Sequence, residues 1–202
     1  MKKIFTLSAI ALLACTAGFS QTTKWTVDKT HSNVKFIVTH MTVSEVEGSF
    51  KVFDGSLENT KPDFSDAKVN FSVDVNSVNT DNERRDGHLK SDDFFNAAQF
   101  PLMKFESTSV KALGANKYEM TGNLTIRDIT KPVVFQVTGG TVLNTSRGAK
   151  TGFKAKATID RFAYNLKWDR ATEAGGLVVG KDVEIVINVE LDKAVPAAPV
   201  TK

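Results

Sequence analysis

Along most of this chain apolar and polar residues alternate one for one. Val69, Phe71, Val73 and Val75 interleave with Asn70, Ser72 and Asp74, which is the period of a strand with one dry face. The same pattern predicts a short first strand over Trp25 to Asp28 and a second over Asn33 to Met41. In the second, Val34, Phe36, Val38 and His40 share a face opposite Lys35 and Thr39. Val46, Gly48, Phe50 and Val52 mark a third strand. Asp54-Gly55 then reads as a turn, with Ser56 to Glu58 resuming before the Lys61-Pro62-Asp63 loop. Met103 and Phe105 alternate next, and Gly114-Ala115-Asn116 turns the chain into Tyr118, Met120, Gly122, Leu124 and Ile126. Thr130-Lys131-Pro132 leads into Val133, Phe135 and Val137, which Gly139-Gly140 closes. Phe153, Ala155, Ala157 and Ile159 follow, and the clearest strand carries Val183, Ile185, Ile187, Val189 and Leu191.

No segment sustains a helical period, so the pattern predicts an all-β, antiparallel fold with one buried side. About eight strands joined by short turns give either a two-sheet sandwich or a closed up-and-down barrel. Strand length favours the barrel, as do the small inward residues Gly48, Gly122, Ala155 and Ala157. Small residues leave room, and eight strands enclose just enough space for one slender ligand. The expected cavity lining is Phe36, Val38, Phe50, Phe71, Val73, Phe94, Phe95, Phe105, Met120, Leu124, Phe135, Phe153, Ala155, Ala157, Ile185 and Ile187.

One stretch breaks the alternation. Asn82 to Phe105 contains Arg84, Arg85, Asp86-Gly87, His88, Asp92, Asp93, Phe94, Phe95 and Phe100-Pro101. It predicts a short helical or looped insertion around residues 83–100. Asp86-Gly87 turns the chain, and Ser91 or Asp92 caps a helical turn. Arg85, Asp86 and His88 form a structural polar network, and the phenylalanines close or gate one barrel end.

Composition adds an address. Lys2 and Lys3, the apolar run Ile4 to Ala17 and the small residues of Gly18-Phe19-Ser20 read as a signal peptide over residues 1–20. The protein is therefore expected in the periplasm or secreted, with a barrel domain at 21–193 and a disordered, proline-containing tail at 194–202. The lone cysteine, Cys15, lies in the leader, so the mature chain has no disulfide. The alternative is acylation of Cys15 in a loose lipobox, giving a membrane-anchored lipoprotein. Without residues 1–20 the chain keeps 24 basic and 23 acidic side chains, a balance without a nucleic-acid footprint. Fourteen phenylalanines against two tryptophans and two tyrosines call for an apolar interior.

Enzyme signatures are missing: no G-x-S-x-G, no H-E-x-x-H, no paired cysteines and no Gly-rich phosphate loop occur in the sequence. Two catalytic alternatives stay open at this level. One uses His88 with Asp86 in a hydrolase, and the other brings His31, His40 and His88 together on a metal. A third alternative is a structural module with a solid core.

The run RDGHLKSDDFFNAAQFPLMKFES (Arg85 to Ser107) closely resembles the R-D-x-H-L-x-S-x-D-F-F core of the YceI-like polyisoprenoid-binding proteins. The resemblance continues through Trp25 to Gly55, Gly122 to Phe135, ATIDRFAYNLKW and VGKDVEIVINVEL. It covers nearly the whole mature chain. It implies a lipocalin-like barrel, exported to the periplasm, whose cavity takes an isoprenoid or fatty tail, quinone and polyprenyl compounds included, without catalysis or a cofactor. Its partners would be that amphipathic lipid and, transiently, a membrane; the protein would be a monomer or homodimer. The chain departs from the family pattern at Arg127-Asp128-Ile129 and Tyr164-Asn165-Leu166, both in turns.

Overall fold

The computed structural model describes residues 21–172 and 175–194. Cys15, the leader and most of the tail lie outside the described residues. The strands are β1 (Thr23–His40), β2 (Ser44–Phe50), β3 (Phe53–Asn59), β4 (Lys68–Asp74), β5 (Val78–Asn79), β6 (Leu102–Gly114), β7 (Lys117–Ile126), β8 (Ile129–Gly139), β9 (Leu143–Thr145), β10 (Gly148–Asp160) and β11 (Val179–Lys193). One helix, α1 (Glu83–Lys90), and two single turns of 3-10 helix, Val75–Ser77 and Arg161–Tyr164, complete the described elements.

Antiparallel pairing runs β1-β3-β4-β6-β7-β8-β10-β11 and returns to β1 through Trp25↔Lys193 to His40↔Val179. Closing the ring gives an eight-stranded barrel, and closure removes the free edges that an open sheet would expose. Inward residues of every wall strand therefore meet in one interior. Rings dominate it: Phe105 and Phe135 meet edge-on at 5.1 Å and Phe53 stacks on Phe71 at 5.9 Å between centroids.

Local chemistry moves several boundaries. The expected first and second strands are one strand, β1, with a register shift between Asp28 and Asn33. There the Asp28 carboxylate accepts from the Thr30 amide at 3.0 Å and the Thr30 hydroxyl at 2.6 Å, so the irregularity is bridged locally and pairing to β11 resumes. Asp54-Gly55 is not a turn. Both residues sit inside β3, and a Cβ on Gly55 would lie 2.4 Å from Phe71 Cδ2. The actual break falls at Lys51–Val52, where Ser77 takes the backbone: Lys51 N–H donates to its carbonyl and Val52 N–H to its hydroxyl.

Small inward residues also act differently from expectation. A Cβ on Gly48 would be 2.2 Å from Phe36 Cζ, and one on Gly122 would be 2.3 Å from Phe105 Cζ. These glycines admit neighbouring rings; they do not leave space. Asp86-Gly87 likewise lies within α1, whose N-cap is Asn82, its side chain accepting from Arg85 N–H; Ser91 stands at the other end. Asparagine in that extended cap position satisfies an amide that the first helical turn leaves free. One tight turn follows the sequence closely: between β6 and β7, Ala115 and Asn116 have φ of 47° and 58°, the left-handed pair that suits a two-residue hairpin.

Candidate functional site

Inside the barrel lies an apolar cavity of about 210 Å³. Of the expected lining, Phe36, Val38, Phe50, Phe71, Val73, Phe94, Phe95, Phe105, Met120, Leu124, Phe135, Phe153, Ala155, Ile185 and Ile187 all bound it. Ala157 does not. It is buried in the surrounding core, one residue past the point where β10 stops pairing with β8. The cavity also meets residues that alternation could not nominate, because they stand outside regular strands: Phe64, Leu89, Arg161 and Leu166. A wider recess of about 440 Å³ runs over Ser65–Asn70 and Glu106–Val110, but its walls are largely polar.

One end is floored by aromatic side chains. Phe64, 2% exposed, comes from the loop between β3 and β4 and lies 5.9 Å from Trp25 and 5.2 Å from Phe153, centroid to centroid. Tyr118 stands against Phe153 at 6.4 Å. The other end is covered by the 82–100 insertion. Leu89, Phe94 and Phe95 border the cavity from it, and Phe95 meets Phe50 edge-on at 5.8 Å.

Three polar devices hold that cover. First, Asp86 Oδ1 accepts from Thr80 N–H at 2.9 Å and from the Thr80 hydroxyl at 2.6 Å, while Arg85 donates from Nε to Thr80 Oγ1 and from Nη2 to Thr80 O, each at 2.8 Å. Arg85 and Asp86 thus clamp one buried threonine. Second, His88 stands apart from that clamp: its Nε2 lies 2.9 Å from Asp93 Oδ2, and its ring meets Phe94 and Trp168 edge-on at 5.0 and 5.6 Å. The expected three-residue network is therefore two separate ones, because Asp86 and His88, two positions apart on the helix, do not share a face. Third, Arg127 donates from Nη1 to the carbonyls of Asp92, Phe94 and Asn165 at 3.0, 3.0 and 2.8 Å, and from Nη2 to Asp92 Oδ1 at 2.7 Å. This is where the chain departs from the family pattern at the β7–β8 turn, with φ 56° at Arg127. The departure was legible; the reach of its side chain to the insertion was not.

Arg161 is the unusual group at the cavity. It is 2% exposed, and Nε, Nη1 and Nη2 donate to the carbonyls of Gly180, Leu166 and Val179 at 2.8, 2.6 and 3.0 Å. Its guanidinium lies 4.1 Å from the Phe162 ring centroid and 5.9 Å from that of Phe94. Burial pushes its pKa down, with Asp160 and Asp169 opposing at longer range. Lys35 also borders the cavity, but its ammonium pairs with Glu47 at 2.7 Å on the outer surface.

The catalytic alternatives do not assemble. Asp86 serves Thr80 and His88 serves Asp93, so they form no dyad. His31, His40 and His88 do not converge either; the one cluster of metal-ligating type among the described residues is Asp28, His31 and Glu190. Lys150 fills it, with Nζ 3.3 Å from Asp28 Oδ2, 2.8 Å from Glu190 Oε1 and 2.8 Å from Asp192 Oδ1. The Thr30 hydroxyl and then His31 hold the Asp28 pKa far below the usual carboxylate range. Asp192 and Glu190 raise that of Lys150. His40 sits at the end of β1, opposite Ser44 and Val179.

Residues 25–191 match the YceI-like domain model. A UPF0312 protein of Staphylococcus aureus (strain N315) is 38% identical over 170 residues, covering 83% of this chain and 96% of that protein. Among solved structures, Burkholderia cenocepacia BcnA superposes with a TM-score of 0.70 at 26% identity, covering 81% of this chain and 98% of BcnA. The Campylobacter jejuni YCEI protein gives 0.65 at 28% identity, with 78% and 90% covered. A polyisoprenoid binding domain from Saccharophagus degradans shares the fold, with a TM-score of 0.63 at 16% identity over 84% of this chain and 98% of that domain. Sequence motifs, closed barrel and apolar interior converge on the same assignment: this chain belongs to the YceI-like family.

Proposed function

We propose that this protein is an exported binding protein that holds one slender apolar lipid, isoprenoid or fatty-tailed, inside its barrel for carriage, storage or stress protection. The observation that carries the reading is the cavity itself, about 210 Å³ and walled almost wholly by aliphatic and aromatic side chains from around the closed sheet. Each methylene moved there from water contributes about 0.8 kcal/mol, or roughly 3 kcal/mol per isoprene unit before ordering costs. A few units therefore suffice for micromolar binding. The polyisoprenoid-binding domain with the same fold supports an isoprenoid over other apolar cargo, and a quinone or polyprenyl compound is the specific form proposed.

The reading is of a binder, not an enzyme. Export follows from the leader-like residues 1–20, and transient membrane contact from the need to collect and deliver a lipid. Protein purified from its own host, extracted with organic solvent and analysed by mass spectrometry, is expected to release a prenyl, quinone or fatty-tailed lipid. A lipid-free preparation that also refuses added prenyl lipids overturns the proposal. Ala155→Phe, at a position bordering the cavity, is expected to weaken uptake by about tenfold or more, the cost of displacing two methylenes, with circular dichroism unchanged.

A further inference from the structure

The two ends of the cavity differ in chemistry. Arg161 lies just beyond the last residue of β10, whereas Phe64 packs against Phe153 earlier in the same strand. From Phe153 to Arg161 a strand advances about 25 Å. The buried charge is thus at one end and an all-aromatic floor at the other. A lipid with a polar head keeps that head near the end that offers polar groups, so the terminus of its tail faces Phe64.

Phe64 is built as a stop. Its φ is 57°, a left-handed conformation that costs a bulky residue without a compensating side-chain hydrogen bond. The loop nevertheless adopts it, closed by Phe64 N–H to Lys61 O and Ala67 N–H to Phe64 O, each at 3.1 Å. The result is a ring driven into the barrel between Trp25 and Phe153. Behind it, a Cβ on Gly140 would lie 3.3 Å from Phe64 Cδ2, so the ring's outer side is also tightly bounded. A loop that merely connected β3 to β4 has no need to bury its largest apolar side chain in a strained backbone.

We infer that Phe64 is the specificity-determining residue for chain length: its ring is the floor on which the ligand's tail ends. This inference rests on the lipid-binding reading above. Chains that end above the ring gain from every added carbon, and longer chains meet the ring and gain nothing further.

The test is calorimetric titration of wild type, Phe64→Leu and Phe64→Ala with a graded series of straight-chain alkanoic acids and a parallel series of all-trans prenyl alcohols. Wild type is expected to tighten about fourfold per added methylene and then to reach a plateau. In Phe64→Ala the plateau moves to chains longer by about two to four carbons, the room a phenyl group vacates, and in Phe64→Leu by less. Phe64→Leu keeps a buried aliphatic group at the floor, so the result does not depend on the alanine variant folding. Identical plateaus in wild type and Phe64→Leu, with both binding, overturn the role of Phe64 and leave the lipid-binding reading intact. Failure of wild type to bind any member of either series overturns both.

Discussion

The hydroxyl of Thr80 donates to Asp86 Oδ1 over 2.6 Å and in the same place accepts from Arg85 Nε at 2.8 Å. One buried threonine thereby ties both ends of an ion-like pair that alternation along the sequence cannot see. Thr80→Val keeps the shape and deletes these two bonds. It is expected to cost about 1.5–3 kcal/mol, the range for hydrogen bonds to charged groups. Urea denaturation with an unchanged slope is the measurement.

Arg127 joins the β7–β8 turn to the insertion through three hydrogen bonds to Asp92 and Phe94, and to the end of the Arg161–Tyr164 turn through a fourth, to Asn165. Arg127→Gly relieves the positive φ but leaves those acceptors unmatched, and the second effect is the larger. Stability is expected to fall by about 1–3 kcal/mol. Hydrogen exchange is expected to speed up at residues 94–97 and to stay unchanged in β10.

Two glycines give opposite signs. Gly122→Ala places a methyl 2.3 Å from Phe105 Cζ and 2.6 Å from the Glu106 carbonyl oxygen, and overpacking of this kind costs about 1–3 kcal/mol. Gly87→Ala, inside α1 with nothing within 4 Å of the new carbon, is expected to stabilise by about 0.5–1 kcal/mol. Thermal melts of the two variants side by side check both.

The Asp28 carboxylate, 2.8 Å from Nδ1 of His31, raises the His31 pKa above its ordinary 6.5. A raised imidazole stabilises the fold fully below 6.5 and loses that contribution as pH rises through the folded value. The NMR titration midpoint of His31 is therefore expected above 6.5 and to fall toward it in Asp28→Asn. Stability attributable to the pair is lost as pH rises above 6.5 and through the raised folded value. An unchanged midpoint in Asp28→Asn refutes the coupling.

A lone carboxylate in the cavity wall has no partner. Ile187→Asp, on β11 facing the interior, is expected to unfold the barrel at neutral pH, since burying an unpaired charge costs several kcal/mol. Loss of the native circular dichroism signal is the readout.

Alternation alone gave the all-β class, most strand positions and a large part of the cavity wall, because a strand's inward set is every second residue regardless of its neighbours. It also isolated an insertion around residues 83–100 as something other than sheet, and β6 begins at Leu102. What only tertiary structure decided are features with no period: the continuity of β1 through Asp28, the place of the β2–β3 break, and the use of Gly48 and Gly122 to receive rings. The partners of the four polar anchors belong here too. Arg127 and Arg161 donate to carbonyls far along the chain, while Arg85 and Asp86 converge on nearby Thr80; a hydrogen bond is set by position and direction in space, which no spacing along the sequence encodes. Phe64 is the sharpest case. Nothing in the Lys61–Ala67 loop marks it as interior, and it becomes the cavity floor only because the barrel closes around it.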